Sequence, residues 1–474
     1  MAAPRRRFSE LRVALEPSRG ELVRTFVREA CLSEDVPQAT ANSIAEDASA
    51  IWRGLCDKAS SDAVRILSRC SGQNVKIRIL LHGYSRFSAI LSEGMRIPAN
   101  AAVAWRPHGI DGWELCLQHR FGPLPEAVPN RPIQDALAAP APAAADQYVI
   151  EPPQKEDAAA IARCFLTVYG HSYVHPEVFS PRRYWDKVER GELIPMIARE
   201  KSGEVVGHVA LERGPGTKVA ERGEAVVTSA HRGRGLLERM TERLSEEAVK
   251  KGLEGIYAEP VTIHTFSQRN DEHAGMPVCA ALLGVNPEKF GPKDVHLTTI
   301  GQRQSYLRTF RFLATPGCRT VHAPERYREV LSELYAAIRA PVVLAPGSSE
   351  LSTDSRTAIK VNGRGYAVVT FDQIGSNASV ELHQAFRDVR ALGASTVQLS
   401  APISDPGLPR LSDAAHDLGF FLCGLGPGFA DGADTFCLQW LGAALDTSKL
   451  QLFTDGAKRL IALIEQDRIA PATA

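Results

Sequence analysis

Hydrophobic and polar positions follow two different rhythms in the first quarter of the chain. Residues 18–31 and 36–59 carry apolar residues at the three-to-four spacing of amphipathic helices. The segments AVRILSRC, NVKIRILLHG and GWELCLQHRF follow them and are extended and rich in apolar residues, as strands are. Helices grouped ahead of strands predict a two-layer α+β domain over residues 1–122.

The periodic pattern breaks at residues 123–147, where proline and alanine dominate. Such a composition favours an extended linker over a packed element. A second boundary is predicted near residue 316, after the alternating run DVHLTTIGQRQSYLRTFRFL, which is typical of a closing strand. The chain is therefore predicted to contain three domains, at residues 1–122, 148–316 and 317–474.

The second and third of these regions alternate strands with helices in a mixed order. In the last region the order is helix (324–338), strand (365–372), helix (380–393) and strand (395–402). Just before the strand at 365–372, Asn362-Gly363 favours a hairpin turn with positive φ. The overall fold class is predicted to be α+β or mixed α/β.

Composition narrows the classes of function. The 55 basic residues balance the 55 acidic ones, so the whole chain has no electrostatic signature for nucleic acid or an anionic membrane. Nine cysteines are scattered and form no CxxC pair, which indicates reduced thiols and argues against a structural zinc; no metal site is predicted. No apolar run reaches about 18 residues, and a cytoplasmic protein is expected.

One motif carries candidate chemistry. The strand-like segment EAVVTSA runs directly into HRGRG, and apolar residues then recur at helical spacing from Leu236. A turn between a strand and a helix aims backbone N–H groups and the helix dipole at one point, where an anion binds. Arg232 and Arg234 add donors suited to a diphosphate. The alternatives are a structural turn with solvated arginines, phosphate binding of an unrelated kind, and RNA binding through RGRG, for which the sequence lacks interleaved aromatic residues.

The order of elements over residues 148–315 resembles the GCN5-related N-acetyltransferase (GNAT) family. In that family a Q/R-x-x-G-x-G/A turn binds the pyrophosphate of acetyl-CoA, and Arg232-Gly233-Arg234-Gly235-Leu236-Leu237 matches it except at Leu237. The resemblance implies that acetyl-CoA lies between strands at 224–229 and 254–260. It also implies that backbone amides near Val227 and Thr228 hold the pantetheine arm.

The resemblance implies further roles for single residues. Transfer to an amine needs a base, and Glu224 is the first candidate; the alternative is a surface glutamate beside Arg222. His264 is a second candidate base, or else a structural histidine. Asn270 occupies the place of a cofactor-contacting asparagine. The tyrosine that protonates the leaving thiolate in many members is absent, which leaves Ser267 or solvent for that step.

The flanking regions resemble known folds more faintly. Residues 8–122 resemble the histidine-kinase-like ATPase domain of anti-sigma-factor serine kinases, with Asp47-Ala48 in the place of its Glu-Ala pair. Ile51 falls where the magnesium-binding asparagine belongs, and HGYSRFSAI replaces the glycine box, so a regulatory or dimerisation role is predicted over ATP binding. The segment DLGFF in the last region predicts a degenerate second acetyltransferase-like half that shapes the substrate side.

The sequence therefore predicts an acetyl-CoA-dependent N-acetyltransferase that acts on an amine, and a small-molecule acceptor is favoured because flanking domains narrow access. A small metabolite, an antibiotic-type amine, a hydrazine-like nitrogen and a protein lysine all fit the same core. The competing hypothesis is a non-catalytic regulator that joins an anti-sigma-like module to an acyl-CoA sensor. The oligomeric state is left open.

Overall fold

The structure is a computed structural model that describes residues 9–56, 64–71, 74–82, 101–108, 112–120, 147–170, 173, 175–214, 216–288, 301–348 and 350–469. The predicted linker lies outside these residues except for Gln147, and so does most of the segment HGYSRFSAI. No helix within the described ranges is both long enough and apolar enough to cross a membrane.

The N-terminal region forms two helices and an antiparallel sheet, in agreement with the predicted elements. The helices are α1 (Gly20–Leu32) and α2 (Gln38–Cys56). The strands are β1 (Ser9–Val13), β2 (Val64–Ser71), β3 (Asn74–His82), β4 (Ala101–His108) and β5 (Gly112–Arg120), in the order β1-β2-β3-β5-β4. Ile51 is 1% exposed and belongs to the apolar core, which excludes it as a cation ligand. Asp47 instead contacts His119 at 3.3 Å.

Neighbouring strands of the central region are antiparallel, with the exception of one parallel pair. Its helices are α3 (Ala158–Tyr169), α4 (Pro181–Glu189), α5 (Leu236–Lys250) and α6 (Phe266–His273). Its strands are β6 (Tyr148–Glu151), β7 (Leu193–Glu200), β8 (Val205–Glu212), β9 (Val219–Val227), β10 (Gly255–Ala258), β11 (Val278–Asn286) and β12 (Gln304–Phe312). Strands β9 and β10 are parallel and are joined by α5, whereas the neighbouring pairs are antiparallel.

The last region contains the predicted helices and strands. They are β13 (Arg319–Val321), α7 (Arg328–Ala337), β14 (Val342–Leu344), β15 (Arg356–Val361), β16 (Tyr366–Gln373), α8 (Ala378–Ala391), β17 (Thr396–Pro402), α9 (Leu408–Asp417), β18 (Phe421–Ala430), β19 (Ala433–Leu441) and α10 (Asp455–Ile469). The predicted hairpin joins β15 to β16. Its positive φ falls on Gly365 and not on Asn362-Gly363, because the Asn362 side chain accepts hydrogen bonds from the N–H groups of Arg364 and Tyr366.

The second and third regions share one twelve-stranded sheet. Its order is β15-β16-β17-β19-β18-β11-β12-β10-β9-β8-β7-β6, with β11 and β18 antiparallel at the junction. Gly424 makes this junction feasible, because a Cβ there would overlap the carbonyl oxygen of Cys279. The order and directions of β16, β17, β19 and β18 repeat those of β9, β10, β12 and β11. The division near residue 316 therefore does not interrupt the sheet, and its place as a domain boundary stays a prediction.

Candidate active site

Strands β9 and β10 diverge shortly after they meet. They pair only over Val219–Glu221 and Gly255–Tyr257. Beyond that point β9 is bent by a bulge, where Glu224 has a φ of +47° and the register against β8 shifts. The strand bounds differ from the predicted 224–229 and 254–260, but the predicted gap between the two strands is present. It opens toward the carboxyl ends of both.

Buried side chains hold the bulge in place. The backbone oxygen of Glu224 lies 2.7 Å from Nδ1 of His208, and Nε2 of His208 lies 2.7 Å from the hydroxyl of Tyr184. Because a carbonyl oxygen only accepts, Nδ1 carries the proton and Tyr184 donates to Nε2. Burial lowers the pKa of His208 to about 4, which keeps the ring neutral. A strained residue with positive φ persists only where its surroundings fix it in this way.

The carboxyl group of Glu224 lies inside the protein. The residue is 3% exposed, and among the described residues neither carboxyl oxygen has a hydrogen-bond partner. Burial first, and then the neighbouring Glu212, raise the pKa of Glu224 to about 8. The alternative of a surface glutamate is therefore wrong. The carboxyl group is neutral at low pH and becomes a base close to physiological pH, as a general base requires.

At the end of β9, the backbone N–H groups of Val227 and Thr228 point in different directions. The N–H of Thr228 donates to the carbonyl of Val206 at 2.9 Å, so it is not free to hold a pantetheine arm. Successive N–H groups of a strand point to opposite sides, and that of Val227 therefore points away from β8, toward the gap. The structure thus corrects the predicted pair to Val227 alone as the amide that faces the gap.

The glycine turn follows directly and leads into α5. Gly233 and Gly235 adopt φ values of +72° and +66°, and a Cβ at either position would meet no atom within 4 Å. Helix α5 begins at Leu236, and its first turn leaves N–H groups without partners inside the helix. The turn therefore presents open space next to backbone donors and a helix N-terminus, which is what a diphosphate site requires.

The two arginines of the turn are held differently. Nε of Arg232 donates to the carbonyl of Val227 at 3.1 Å, while its residue stays exposed. Arg234 donates to the hydroxyl of Tyr148 at 2.8 Å, and its guanidinium lies 5.7 Å from the centre of that ring. Tyr148 also contacts His231 at 2.9 Å. Sequence reasoning missed Tyr148, because nothing local relates the first strand of the sheet to this turn.

Leu237 replaces the small residue at the end of the motif without filling the turn. Leu236 is 2% exposed and belongs to the core under α5. Leu237 is partly buried and packs against that core together with Ala225 and Val227. Because the space in front of Gly233 and Gly235 is open, the departure from the family pattern at Leu237 does not obstruct it.

Helix α6 is tied to β9 by buried charges. Arg222, whose side chain is 8% exposed, pairs with Asp271, which also accepts a hydrogen bond from Thr309 at 2.8 Å. Asn270 contacts the same guanidinium at 3.0 and 3.2 Å when its amide oxygen faces Arg222, the orientation that satisfies both groups. Asn270 also lines a cavity of about 610 Å³ between α5 and α6. Its amide nitrogen is thus turned away from Arg222.

Comparison with known proteins agrees with this geometry. The acetyltransferase (GNAT) family matches residues 159–270, which include the bulge, the glycine turn and Asn270. This segment of the chain is a GNAT domain. No curated protein matches the chain.

Several solved structures are similar to a part of the chain. An N-acetyltransferase from Staphylococcus aureus Mu50 is 16% identical, with 36% of this chain and 100% of that chain covered and a TM-score of 0.30. The protein yncA from Salmonella typhimurium, solved with its cofactor acetyl-CoA, is 19% identical, with coverages of 36% and 97% and a TM-score of 0.30. A GCN5-related N-acetyltransferase from Kribbella flavida is 20% identical, with coverages of 36% and 99% and a TM-score of 0.28.

Two other predicted catalytic residues of the GNAT domain lie around the start of α6. His264 precedes this helix and Ser267 lies in its first turn. Nδ1 of His264 and Oγ of Ser267 are buried without hydrogen-bond partners among the described residues. Burial lowers the pKa of His264, so its ring is neutral at physiological pH. No hydrogen bond within the described ranges joins either residue to Glu224.

The last region has a strand-to-helix turn at the same place in its topology. The backbone N–H groups of that turn already donate hydrogen bonds to other residues of the chain. Residues 374–377 join β16 to α8, as the glycine turn joins β9 to α5. Their N–H groups all have acceptors in the chain: Ile374 to Asp405 at 2.9 Å, Gly375 to Ser355 at 2.9 Å, Ser376 to Ser352 at 2.7 Å and Asn377 to Thr353 at 3.3 Å. An anion therefore finds no free donors there.

We expect Arg222→Met to destabilise the protein by about 3–5 kcal/mol, because it leaves the Asp271 carboxylate buried without a countercharge. Urea unfolding measures this change. Lys218→Met is the control, since its exposed ion pair with Glu254 contributes less than about 1 kcal/mol. Adding Asp271→Leu to Arg222→Met is expected to recover most of the loss. A double variant as unstable as the single one would contradict this explanation.

Proposed function

We propose that the chain is an acetyl-CoA-dependent N-acetyltransferase that acts on the amine of a small molecule. The observation that carries the proposal is the open glycine turn, which follows strand β9. The same strand contains the buried carboxyl group of Glu224, whose pKa is raised. The match to the GNAT family over the same residues supports acyl transfer, because enzymes of this family use acyl-CoA.

The residues present fit acetyl-CoA. The amides of the glycine turn and Arg232 would hold the diphosphate, and the N–H of Val227 would hold the pantetheine arm. Asn270, beside the cavity between α5 and α6, would contact the cofactor with its free amide nitrogen. Bound acetyl-CoA supplies an acyl group already activated as a thioester. Holding an amine next to it then provides much of the rate.

We assign the proton transfers of the reaction to side chains of this protein. An ammonium does not attack a thioester, so a proton must leave the amine nitrogen, and Glu224 is the group we assign to accept it. His264, neutral and half-buried, is the second candidate. Ser267 or solvent would protonate the leaving sulfur, which is only weakly basic.

The remaining features of the proposal follow from the surroundings of the site. None of the nine cysteines forms a disulfide, which supports a reducing compartment such as the cytoplasm. The last region continues the sheet beyond β11. We expect such an added region to narrow access to the site, which favours a small acceptor over a protein lysine. The competing proposal, an acyl-CoA sensor attached to a regulatory module, requires binding without turnover.

We expect acetyl-CoA to bind with a stoichiometry of one per chain, because the glycine turn is open and the matching turn of the last region is filled. Isothermal titration calorimetry on the full chain measures both affinity and stoichiometry. Release of CoA with an amine acceptor then separates an enzyme from a sensor. Absence of binding would overturn both proposals, and two equivalent sites per chain would contradict the assignment of the filled turn.

A further inference from the structure

Five carboxyl groups, including that of Glu224, lie close enough to one another to interact electrostatically. This acidic cluster consists of Glu177, Glu212, Glu221, Glu224 and Glu259. Glu212 and Glu221 lie directly opposite each other on β8 and β9, and like charges in this position destabilise a sheet. Glu221 is also the last residue of β9 that pairs with β10, so the cluster begins where the gap between these strands opens.

The cluster is open to solvent at one end and closed at the other. The side chains of Glu177, Glu212 and Glu259 are 31%, 33% and 25% exposed. Glu224, at the closed end, is 3% exposed and has no hydrogen-bond partner for either carboxyl oxygen among the described residues. The cluster therefore combines partly exposed carboxyl groups with the buried carboxyl group of the proposed base.

Within the described ranges, fewer cations contact the cluster than it has carboxyl groups. Lys187 contacts Glu212 at 2.5 Å and Glu177 at 3.6 Å, and Arg308 contacts Glu259 at 2.6 Å. No ion pair involving Glu221 or Glu224 is found in the described part of the chain. Burial, and then the neighbouring carboxylates, raise the pKa of both groups to about 8. An external cation would relieve this repulsion.

We propose that the acceptor is a diamine or polyamine, which places one nitrogen at Glu224 and a second, charged nitrogen between Glu212 and Glu221. This inference rests on the proposed acetyltransferase function. Glu221 and Glu224 are three residues apart, which is at most about 10 Å along a strand and less across a bulge. Oxygens of Glu212 and Glu224 come within 4.8 Å of each other. A short aliphatic diamine spans such a separation.

The chemistry of the cluster favours an ammonium over a metal ion. His175, Glu212 and Glu224 bring ligand atoms within 4.8 Å of one another, which is also compatible with a divalent cation. However, Glu212 already binds the ammonium of Lys187, and that fixed charge would repel a divalent ion twice as strongly as a singly charged ammonium at the same distance. Lys187 shows that the cluster accommodates an alkylammonium group.

Calorimetric binding to the full chain saturated with CoA tests the inference. The probes are 1,4-diaminobutane and butylamine, which differ by the second nitrogen. We expect the diamine to bind at least tenfold more tightly, and Glu221→Gln to remove most of that advantage while butylamine affinity changes less than twofold. Glu254→Gln is the control, because this exposed carboxylate pairs with Lys218 outside the cluster.

Three other results of this experiment would contradict either the diamine inference or the proposed function. Equal affinities for the two probes would overturn the diamine inference, and normal CoA binding in the same experiment would leave the proposed function standing. Failure of CoA to bind would overturn the proposed function itself. Saturable Zn²⁺ binding that displaces the diamine and is lost in His175→Ala would assign the cluster to a metal and overturn the inference.

Discussion

Gly235→Glu is expected to weaken acetyl-CoA binding by at least about 100-fold, the largest effect on affinity that the structure predicts. The residue has a φ of +66° and precedes the first turn of α5, and a side chain built on it enters open space. A carboxylate there would occupy the space assigned to the diphosphate and repel it. It would also compete for the N–H groups of the turn. Calorimetric titration of the folded variant measures the loss.

Gly252→Glu is the matched control for this experiment. Gly252 lies just past the other end of the same helix, has a φ of +74° and also faces open space. The same substitution therefore carries a similar backbone strain, and an added anion at a helix C-terminus is unfavourable as well. We expect acetyl-CoA affinity within about twofold of the wild type here. Equal losses in both variants would show that strain, and not the anion site, causes the effect.

Glu224→Gln is expected to lower kcat by roughly 100- to 10,000-fold while the affinity for acetyl-CoA is retained. Glutamine keeps the size of the side chain but cannot accept the proton of the amine. In the wild type, kcat should rise as pH increases through about 8, where the carboxyl group loses its proton. The pH profile of CoA release should lose this step in the variant. An unchanged kcat would remove Glu224 from the mechanism and leave His264 as the candidate base.

The same substitution should stabilise the fold. The pKa of Glu224 is raised from 4.5 to about 8 on folding, so the folded state keeps a proton that the unfolded state releases between these values. Stability therefore falls as pH rises through this window, by an amount on the order of a few kcal/mol. Glu224→Gln should be more stable than the wild type at pH 9 and closer to it at pH 5. Glu254→Gln, at an exposed position, is the matched control for the removal of one carboxyl group.

The elements of the fold were largely predictable, since amphipathic spacing and strand patterns act over few residues. Helices α1, α2 and α8 and strands β16 and β17 lie within a few residues of the predicted ranges. The resemblance of the first region to a kinase-like ATPase stays a prediction. The predicted roles of His264 and Ser267 also stay predictions, since Nδ1 of His264 and Oγ of Ser267 have no hydrogen-bond partner among the described residues and neither is joined to Glu224.

The glycine turn is the part of the site that the sequence determined by itself. Two glycines between a strand and an amphipathic helix fix a turn with positive φ and a helix start, and both properties depend on adjacent residues only. The family pattern suggests the ligand, and Leu237, the one departure from it, leaves the space in front of the turn open because it packs onto the core.

The tertiary structure alone decided what surrounds this turn. Glu224 is buried because His208 and Tyr184 fix a bulge from distant parts of the chain, and its raised pKa comes from that burial. The turn at 374–377 is filled by residues 352–355 and Asp405, although its own sequence does not reveal this. Burial, pKa and access all depend on contacts between residues far apart in sequence, and these contacts exist only once the sheet has formed.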